Sequence, residues 1–508
     1  MTTFFITVGV LTGQALFSRA FGGISADYPS SITQTTDGGC ALAGFTGSFG
    51  AGNWDLLVLK LGPSGNLDWA RTIGDTVEDR GSSIVQTADG GYAVAGYTSS
   101  FGAGYSDLFV LKLGSSGNLD WAKTIGWGND DGASSMIQTT DGGFAIAGYT
   151  YSFGIGDPDP LVLKMGPSGT LDWALTFGGT GIDAATSITR TTDGGYVVAG
   201  YTYSFGAGSA DFLVTKLDSL GGLSWTRTIG GAGEDRILCI TPTTDGGCAV
   251  AGLTYSFGAG GVDCLVLKLS PSGTLDWTRT IGGANNDLAW SLTQTTDGGY
   301  AVAGWSQSFG AGMADPFVFK LSPSGTLDWA RTFGGTGGDY GSLIAQTTDG
   351  CYAVAGWTYS FGAGDWDMLV FKLGADGNYS GCIQSCSPTV TTPVLSTASQ
   401  TVGTSCSLII SSQSPVVNTP SLSVTDLCAP LYVGEVEHTD LPGPGITCAP
   451  LPGGALFNSP EALPIRIYSG DGRLTYSGNL GKGENRISLE TGVYLWKAGT
   501  YRGKVIAR

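Results

Sequence analysis

The chain has 508 residues and a formal net charge of −18, with 85 glycines and only 13% charged residues. So much glycine without a Gly-X-Y period excludes collagen, and an apolar share of 42% argues against a disordered chain. Glycine, serine and threonine interrupt nearly every stretch long enough for a helix, so the composition reads as all-β; the acidic balance speaks against nucleic acid, whose phosphates demand clustered positive charge.

Residues 4–11 form an apolar run, and Gly13-Gln14-Ala15 has the small residues of a signal-peptidase site, although no lysine or arginine precedes Arg19. Residues 1–15 are read as the remnant of a signal peptide whose start is clipped or misassigned, with a displaced extra strand as the alternative. After it, Phe17, Arg19 and Phe21-Gly22-Gly23 stand in register with Trp69, Arg71 and Ile73-Gly74-Asp75.

That register belongs to a repeat. Asp-Gly recurs at Asp37, Asp89, Asp141, Asp193, Asp245, Asp297 and Asp349, always 52 residues apart. Each unit predicts four short strands: in the first, 31–35, Cys40–Thr46, Asp55–Leu61 and 67–73. They are separated by the turns Thr36-Asp37-Gly38-Gly39, Phe49-Gly50-Ala51-Gly52 and Gly62-Pro63-Ser64-Gly65. Neither end carries the polar cap that an open solenoid needs. The seventh unit lacks a fourth strand, and residues 16–22 can supply it. The expectation is a seven-bladed β-propeller of four-stranded blades over residues 16–379, closed by its N-terminal strand. Trp69 and its equivalents, with Phe17 as the seventh member, are expected to pack between blades, as are Phe49 and its counterparts.

Two complete aspartate sets, Asp27 through Asp339 and Asp55 through Asp367, mark turns where a carboxylate can accept backbone N–H groups. Lys60 and its equivalents are expected to pair with an acid or to hold their charge at the blade rim. Calcium is the alternative use of such acids. No Asp-x-Asp-x-Asp-Gly loop occurs, so no cofactor is assigned. The single histidine, His438, lies beyond the repeats, and no Gly-x-Ser-x-Gly, His-Glu-x-x-His or phosphate-loop pattern is present, so the chain does not read as an enzyme. What varies between units is aromatic. One column holds Phe45, Tyr97, Tyr149, Tyr201, Leu253, Trp305 and Trp357. Two residues on, Tyr151, Tyr203, Tyr255 and Tyr359 are the candidate rim-binding residues, suited to a glycan or a surface protein. The alternative function is a polysaccharide hydrolase with an acidic pair at the propeller mouth.

Of ten cysteines, five lie inside the repeats and read as buried side chains; the other five lie beyond them, where disulfides would suit an extracellular chain. Residues 380–462, rich in Ser, Thr and Pro, read as an extended spacer with some β structure. Residues 463–508 reverse the charge, with eight basic residues against three acidic ones, and alternate as strands between glycine turns, enough for a small β-sandwich.

The runs Ile467-Tyr468-Ser469-Gly470-Asp471-Gly472-Arg473-Leu474, Gly483-Glu484-Asn485-Arg486-Ile487-Ser488-Leu489, Gly492-Val493-Tyr494-Leu495 and Lys504-Val505 resemble the type A C-terminal sorting domain of type IX secretion substrates. The resemblance implies recognition by outer-membrane secretion machinery, with Gly472, Arg473, Asn485, Gly492, Tyr494 and Lys504 as signal residues. It places the protein outside the cell or on its surface; separately, the expected role is a binding or structural module with a monomeric propeller. The blades likewise resemble the secreted propeller-like repeats found upstream of such domains.

Overall fold

The computed structural model describes residues 16–155, 158–362 and 365–379 in full, and beyond them the backbone of fourteen strands between 383 and 507. It divides into two units, Met1–Ala429 and Pro430–Arg508.

The first unit is a seven-bladed propeller. The first blade pairs Asp27–Gln34, Cys40–Thr46, Asp55–Leu61 and Leu67–Gly74 in sequence order, all antiparallel, and the next five blades repeat it. First strands of neighbouring blades touch all round the ring, so they line the central channel. These strands begin four residues earlier than alternation predicts. A bulge between Pro29 and Ser31, repeated in every blade, breaks the period-two pattern and hides the front half of the strand from the sequence.

The ring closes as expected. Ser18–Gly22 pairs antiparallel with Asp367–Leu373, from Ser18 opposite Phe371 to Phe21 opposite Met368, and completes the seventh blade. The seam resembles the other junctions: Asp27 N–H donates to the Trp366 carbonyl at 2.6 Å, just as Asp79 N–H donates to Trp54 at 2.7 Å. Between blades lie separate apolar clusters. The one at the seam joins Phe17, Phe21, Leu42 and Leu57 to Met368 and Val370. Trp69 is half-buried and stacks edge-on to Tyr92 of the next blade, its ring over the positive-φ turn residue Gly117. Trp173 does the same with Tyr196 and Gly221. Only glycine lets that turn both take its left-handed conformation and admit the indole.

The stretch that follows the last blade supplies a fifth strand to every sheet. Ile383–Ser385 pairs with the outer strand of blade six, Thr389–Thr391 with blade five, Ser396–Ser399 with blade four and Thr404–Ser405 with blade three. Ile409–Gln413 and Val416–Asn418 take blades two and one, and Ser423–Asp426 pairs with the closing strand Ser18–Gly22. The segment thus runs one full circuit against the blade order. In the sequence, Pro388, Pro393, Pro415 and Pro420 all fall between its strands and none within one, in keeping with proline's lack of a ladder donor.

The second unit holds two antiparallel sheets. One orders Leu474–Leu480, Leu463–Ser469, Gly492–Ala498 and Tyr501–Ala507; the other joins Thr447–Leu451, Gly454–Ser459 and Gly483–Ser488. Strands from 447 onward therefore share the sheets of the segment read as starting at 463.

Candidate functional site

The invariant acids are structural. Asp55 Oδ2 accepts Gly52 N–H at 2.9 Å, and Asp27 Oδ2 accepts Gly23 N–H and the Ser48 hydroxyl, both at 2.8 Å. Members of both sets are at most 2% exposed, so neither presents a carboxylate to a substrate. Lys60 lies buried between Asp37 at 2.8 Å and Asp68 at 3.2 Å. Among the described residues no three metal-ligating side chains converge. The five described cysteines are free thiols, and burial pushes Cys40 and Cys248 up to about 12. His438 and Cys382, Cys386, Cys406 and Cys428 lie outside the described residues.

The variable columns gather at the channel end where the first strands begin. Cross-strand pairing sets Tyr28 opposite Phe45, Arg80 opposite Tyr97, Arg236 opposite Leu253 and Tyr340 opposite Trp357. The rings link across blades. Trp305 meets Tyr340 edge-on with centroids 5.4 Å apart, Tyr340 stacks on Trp357 at 5.4 Å, and Trp357 meets Tyr28 at 5.8 Å. Tyr28 contacts Phe45 at 5.1 Å and Trp54 at 6.0 Å. The Arg80 guanidinium lies 4.1 Å from the Phe45 centroid and pairs with Glu78, which also accepts the Tyr97 hydroxyl at 2.7 Å. Blade five repeats the device: Arg236 pairs with Glu234, lies 4.7 Å from the Tyr201 centroid and donates to the Tyr203 hydroxyl at 2.6 Å.

On this mouth Tyr151, Tyr255 and Tyr359 are 42%, 58% and 59% exposed, whereas Tyr203 is half-buried and held by Arg236. Tyr151 leans edge-on against Tyr149, and Tyr359 lies 5.2 Å from Trp366. Burial, and then the bond to Glu78, raises the Tyr97 phenol; burial with Asp130 nearby pushes Tyr149 up to about 12. Both phenols stay protonated at neutral pH. Sequence reasoning missed Tyr28, Tyr340, Trp54, Trp366 and the two Arg–Glu pairs. Their signal was available: the columns of position 28 (Tyr, Arg, Gly, Ala, Arg, Leu, Tyr) and position 26 vary beside the invariant Asp27.

In the second unit, Asn485 sits on Gly483–Ser488, Gly492 and Tyr494 on Gly492–Ala498, and Lys504 on Tyr501–Ala507. Tyr494 pairs with Val505 and Lys504 with Leu495, so these two positions share one ladder while Asn485 lies in the other sheet. Gly472 and Arg473 lie outside the described residues.

No family model matches the chain, and no curated protein is similar to it. Solved structures with related folds include a puromycin hydrolase, 13% identical with a TM-score of 0.41, over 71% of this chain and 53% of that one. The chain thus spans about half the length of that protein. An endo-1,5-α-L-arabinanase from Thermotoga petrophila RKU-1 is 11% identical with a TM-score of 0.27, over 70% and 97% of the two chains. A putative gluconolactonase is 11% identical with a TM-score of 0.28, over 57% and 87%. At these scores the likenesses carry no chemistry over to this chain.

Proposed function

We propose that the chain is a non-catalytic glycan-binding propeller that works outside the cell, exported by a type IX-like pathway through its C-terminal unit. The observation that carries the binding reading is the aromatic mouth: three open tyrosines on one rim, with a run of rings beside Tyr359 that links blade six through blade one. Sugar rings present C–H faces that pack on aromatic faces, and protonated phenols and arginines supply directional hydrogen bonds at the edges. Tyr97 and Tyr203 are each fixed by one polar partner, Glu78 and Arg236, so on those two blades a ligand meets a preorganised surface. The export reading rests on the sorting-domain resemblance of residues 463–508.

A glycan array with the full chain, followed by titration of the strongest hit, tests the binding. Tyr255→Ala and Tyr359→Ala should each weaken it about tenfold, the worth of one well-packed aromatic contact. Unchanged affinity in both variants removes the aromatic mouth as the site. The alternative, a polysaccharide hydrolase, is decided on the same hit: release of new reducing ends, abolished by one carboxylate substitution, would replace binding with catalysis.

A further inference from the structure

The opposite end of the channel, where the Thr-Asp-Gly turns lie, carries a second ring that is broken at one place. The last residue of each first strand is glutamine in five blades. Its carboxamide oxygen reaches back to the preceding blade's turn. Gln86 accepts from Thr36 N–H at 2.8 Å, Gln138 from Ala88 at 3.0 Å, Gln294 from Thr244 at 2.9 Å and Gln346 from Thr296 at 2.8 Å. Gln34 takes the same place on Thr348 once its amide is turned with the oxygen toward that N–H. Blades four and five instead have Arg190 and Pro242. A guanidinium has no acceptor and a proline side chain has no polar atom, so neither can make the link to Thr140 or Thr192.

At this break lies a cavity of about 520 Å³, lined by Arg190, Thr191, Thr192, Pro242, Thr243 and Gln294 with their neighbours Thr241 and Thr244. No lining residue is acidic. Arg190 also differs from every other described arginine. Arg80 and Arg236 are ion-paired, and Arg19, Arg71, Arg227, Arg279 and Arg331 donate to carbonyls. Arg190 has neither an ion pair nor a hydrogen bond among the described residues. In a chain of net charge −18, an unpaired guanidinium beside a cavity without acidic lining is placed to receive an anion, and the Asp193 and Asp245 carboxylates of the adjoining turns already pair with Lys216 and Lys268.

We infer that this cavity binds a sugar acid, a hexuronate unit, with its carboxylate on Arg190. The guanidinium fork suits a planar carboxylate, the Thr192, Thr241 and Thr244 hydroxyls can donate and accept toward ring hydroxyls while those of Thr191 and Thr243 are committed to Asp193 and Asp245, and the Pro242 ring offers an apolar floor to the C–H face. The depression is open to solvent and has room for a single sugar ring. This site is independent of the aromatic mouth and goes beyond the reading given for it.

The test titrates the full chain with glucuronate, glucose and acetate, followed by calorimetry and by NMR line broadening of the ligand. Saturable binding of glucuronate, with neither glucose nor acetate matching it, is the expected result. Arg190→Gln restores the residue that five blades carry and can remake the link to Thr140, so it should fold normally and weaken glucuronate at least about tenfold. Pro242→Gln, which restores the link to Thr192, should narrow the cavity and weaken it as well. Tyr255→Ala, at the other end of the channel, should leave it unchanged. Equal binding of glucose, equal binding by Arg190→Gln, or no saturable binding of glucuronate to the natural chain would each overturn the assignment.

Discussion

The ring of Phe17 lies directly over Gly65, with Cε2 2.7 Å from the point where a Cβ at Gly65 would stand. Residue 17 lies 52 residues before Trp69 and belongs to no complete repeat of its own, yet it meets the first blade as Trp329 of blade six meets Gly377 of blade seven. The closing strand therefore brings both halves of a blade junction, the backbone ladder to Leu369 and Val370 and the aromatic plug against the next turn. Deleting residues 1–22 should lower the melting temperature by well over 10 °C, and by far more than removing 463–508, measured by calorimetry. Phe17→Ala should cost about 3 kcal/mol, as a large buried ring lost from an interface that cannot collapse around it. A shift of only a few degrees on the deletion would contradict the closure.

Each blade junction also buries two carboxyl groups face to face. Asp211 Oδ1 has no hydrogen-bond partner, and it shares with Asp235 Oδ2 the space above Gly230 that a Cβ would fill. Burial first, and then the Asp235 charge, raise the Asp211 carboxyl; Asp55, Asp107, Asp263 and Asp315 are raised in the same way. A carboxyl raised on folding stabilises the native state below its unfolded value, and that contribution is lost as pH rises through the folded value. Asp37 behaves oppositely. Burial opposes its ionisation, but Lys60 and Thr35 outweigh it and hold it at about 2, so its contribution is lost only as pH falls through that range. The melting temperature should therefore be highest in mild acid and fall toward pH 8. Asp211→Asn keeps the carbonyl for Ala207 and Gly208 and turns an N–H toward Asp235, imitating the protonated acid. It should raise the melting temperature by about 2 °C at pH 8 and change nothing near pH 4. A loss at pH 8 would show that the pair is ionised and held by other means.

The repeat made the ring legible before any coordinates. Its constant 52-residue step, the missing fourth strand of blade seven and the spare Phe17 register together specify closure. Turn acids and the Lys60 pairs were legible for the same reason, since a job repeated seven times leaves seven identical residues. The bulged front of each first strand was not, because Pro29 and Ser31 break alternation where Tyr28 and Arg80 emerge toward the mouth. The outer circuit was hidden too. Strands of two to five residues in a Ser/Thr-rich segment carry no recurrent apolar pattern, so their pairing depends on edges formed by residues far away in the sequence. Column 34 could have been read, however: Arg190 and Pro242 were visible as departures from glutamine.

The fifth strands cover what would otherwise be seven open edges. Without Ile383–Asp426, the outer strands such as Leu67–Gly74 and Leu223–Gly230 would expose unpaired N–H and C=O groups around the whole perimeter. A chain ending at Tyr379 retains the seven inter-blade cores and should still fold. It should self-associate through its edges, giving concentration-dependent species in sedimentation velocity where the full chain remains a monomer. A truncated chain that stayed monomeric would show that the circuit contributes little to edge protection.

The charge reversal of residues 463–508 bears on the proposed export. Tyr494 and Lys504 sit on adjacent strands of one ladder, with Asn485 on the other sheet, so the positions of the resembled signal are spread over two sheets and not confined to one linear run. Recognition would then depend on the sheets being formed. Tyr494→Asp places a charge in the strand Gly492–Ala498, and Val505→Pro removes a donor from its partner Tyr501–Ala507. In the organism that makes the protein, each should hold the chain in the periplasm as firmly as deletion of 463–508, followed by surface immunolabelling and fractionation. The propeller, folding as its own unit, should accumulate there with its normal melting transition. Surface display of the deletion at the natural level would remove the sorting role, whereas retention of the deletion with normal export of Val505→Pro would place recognition in the linear sequence.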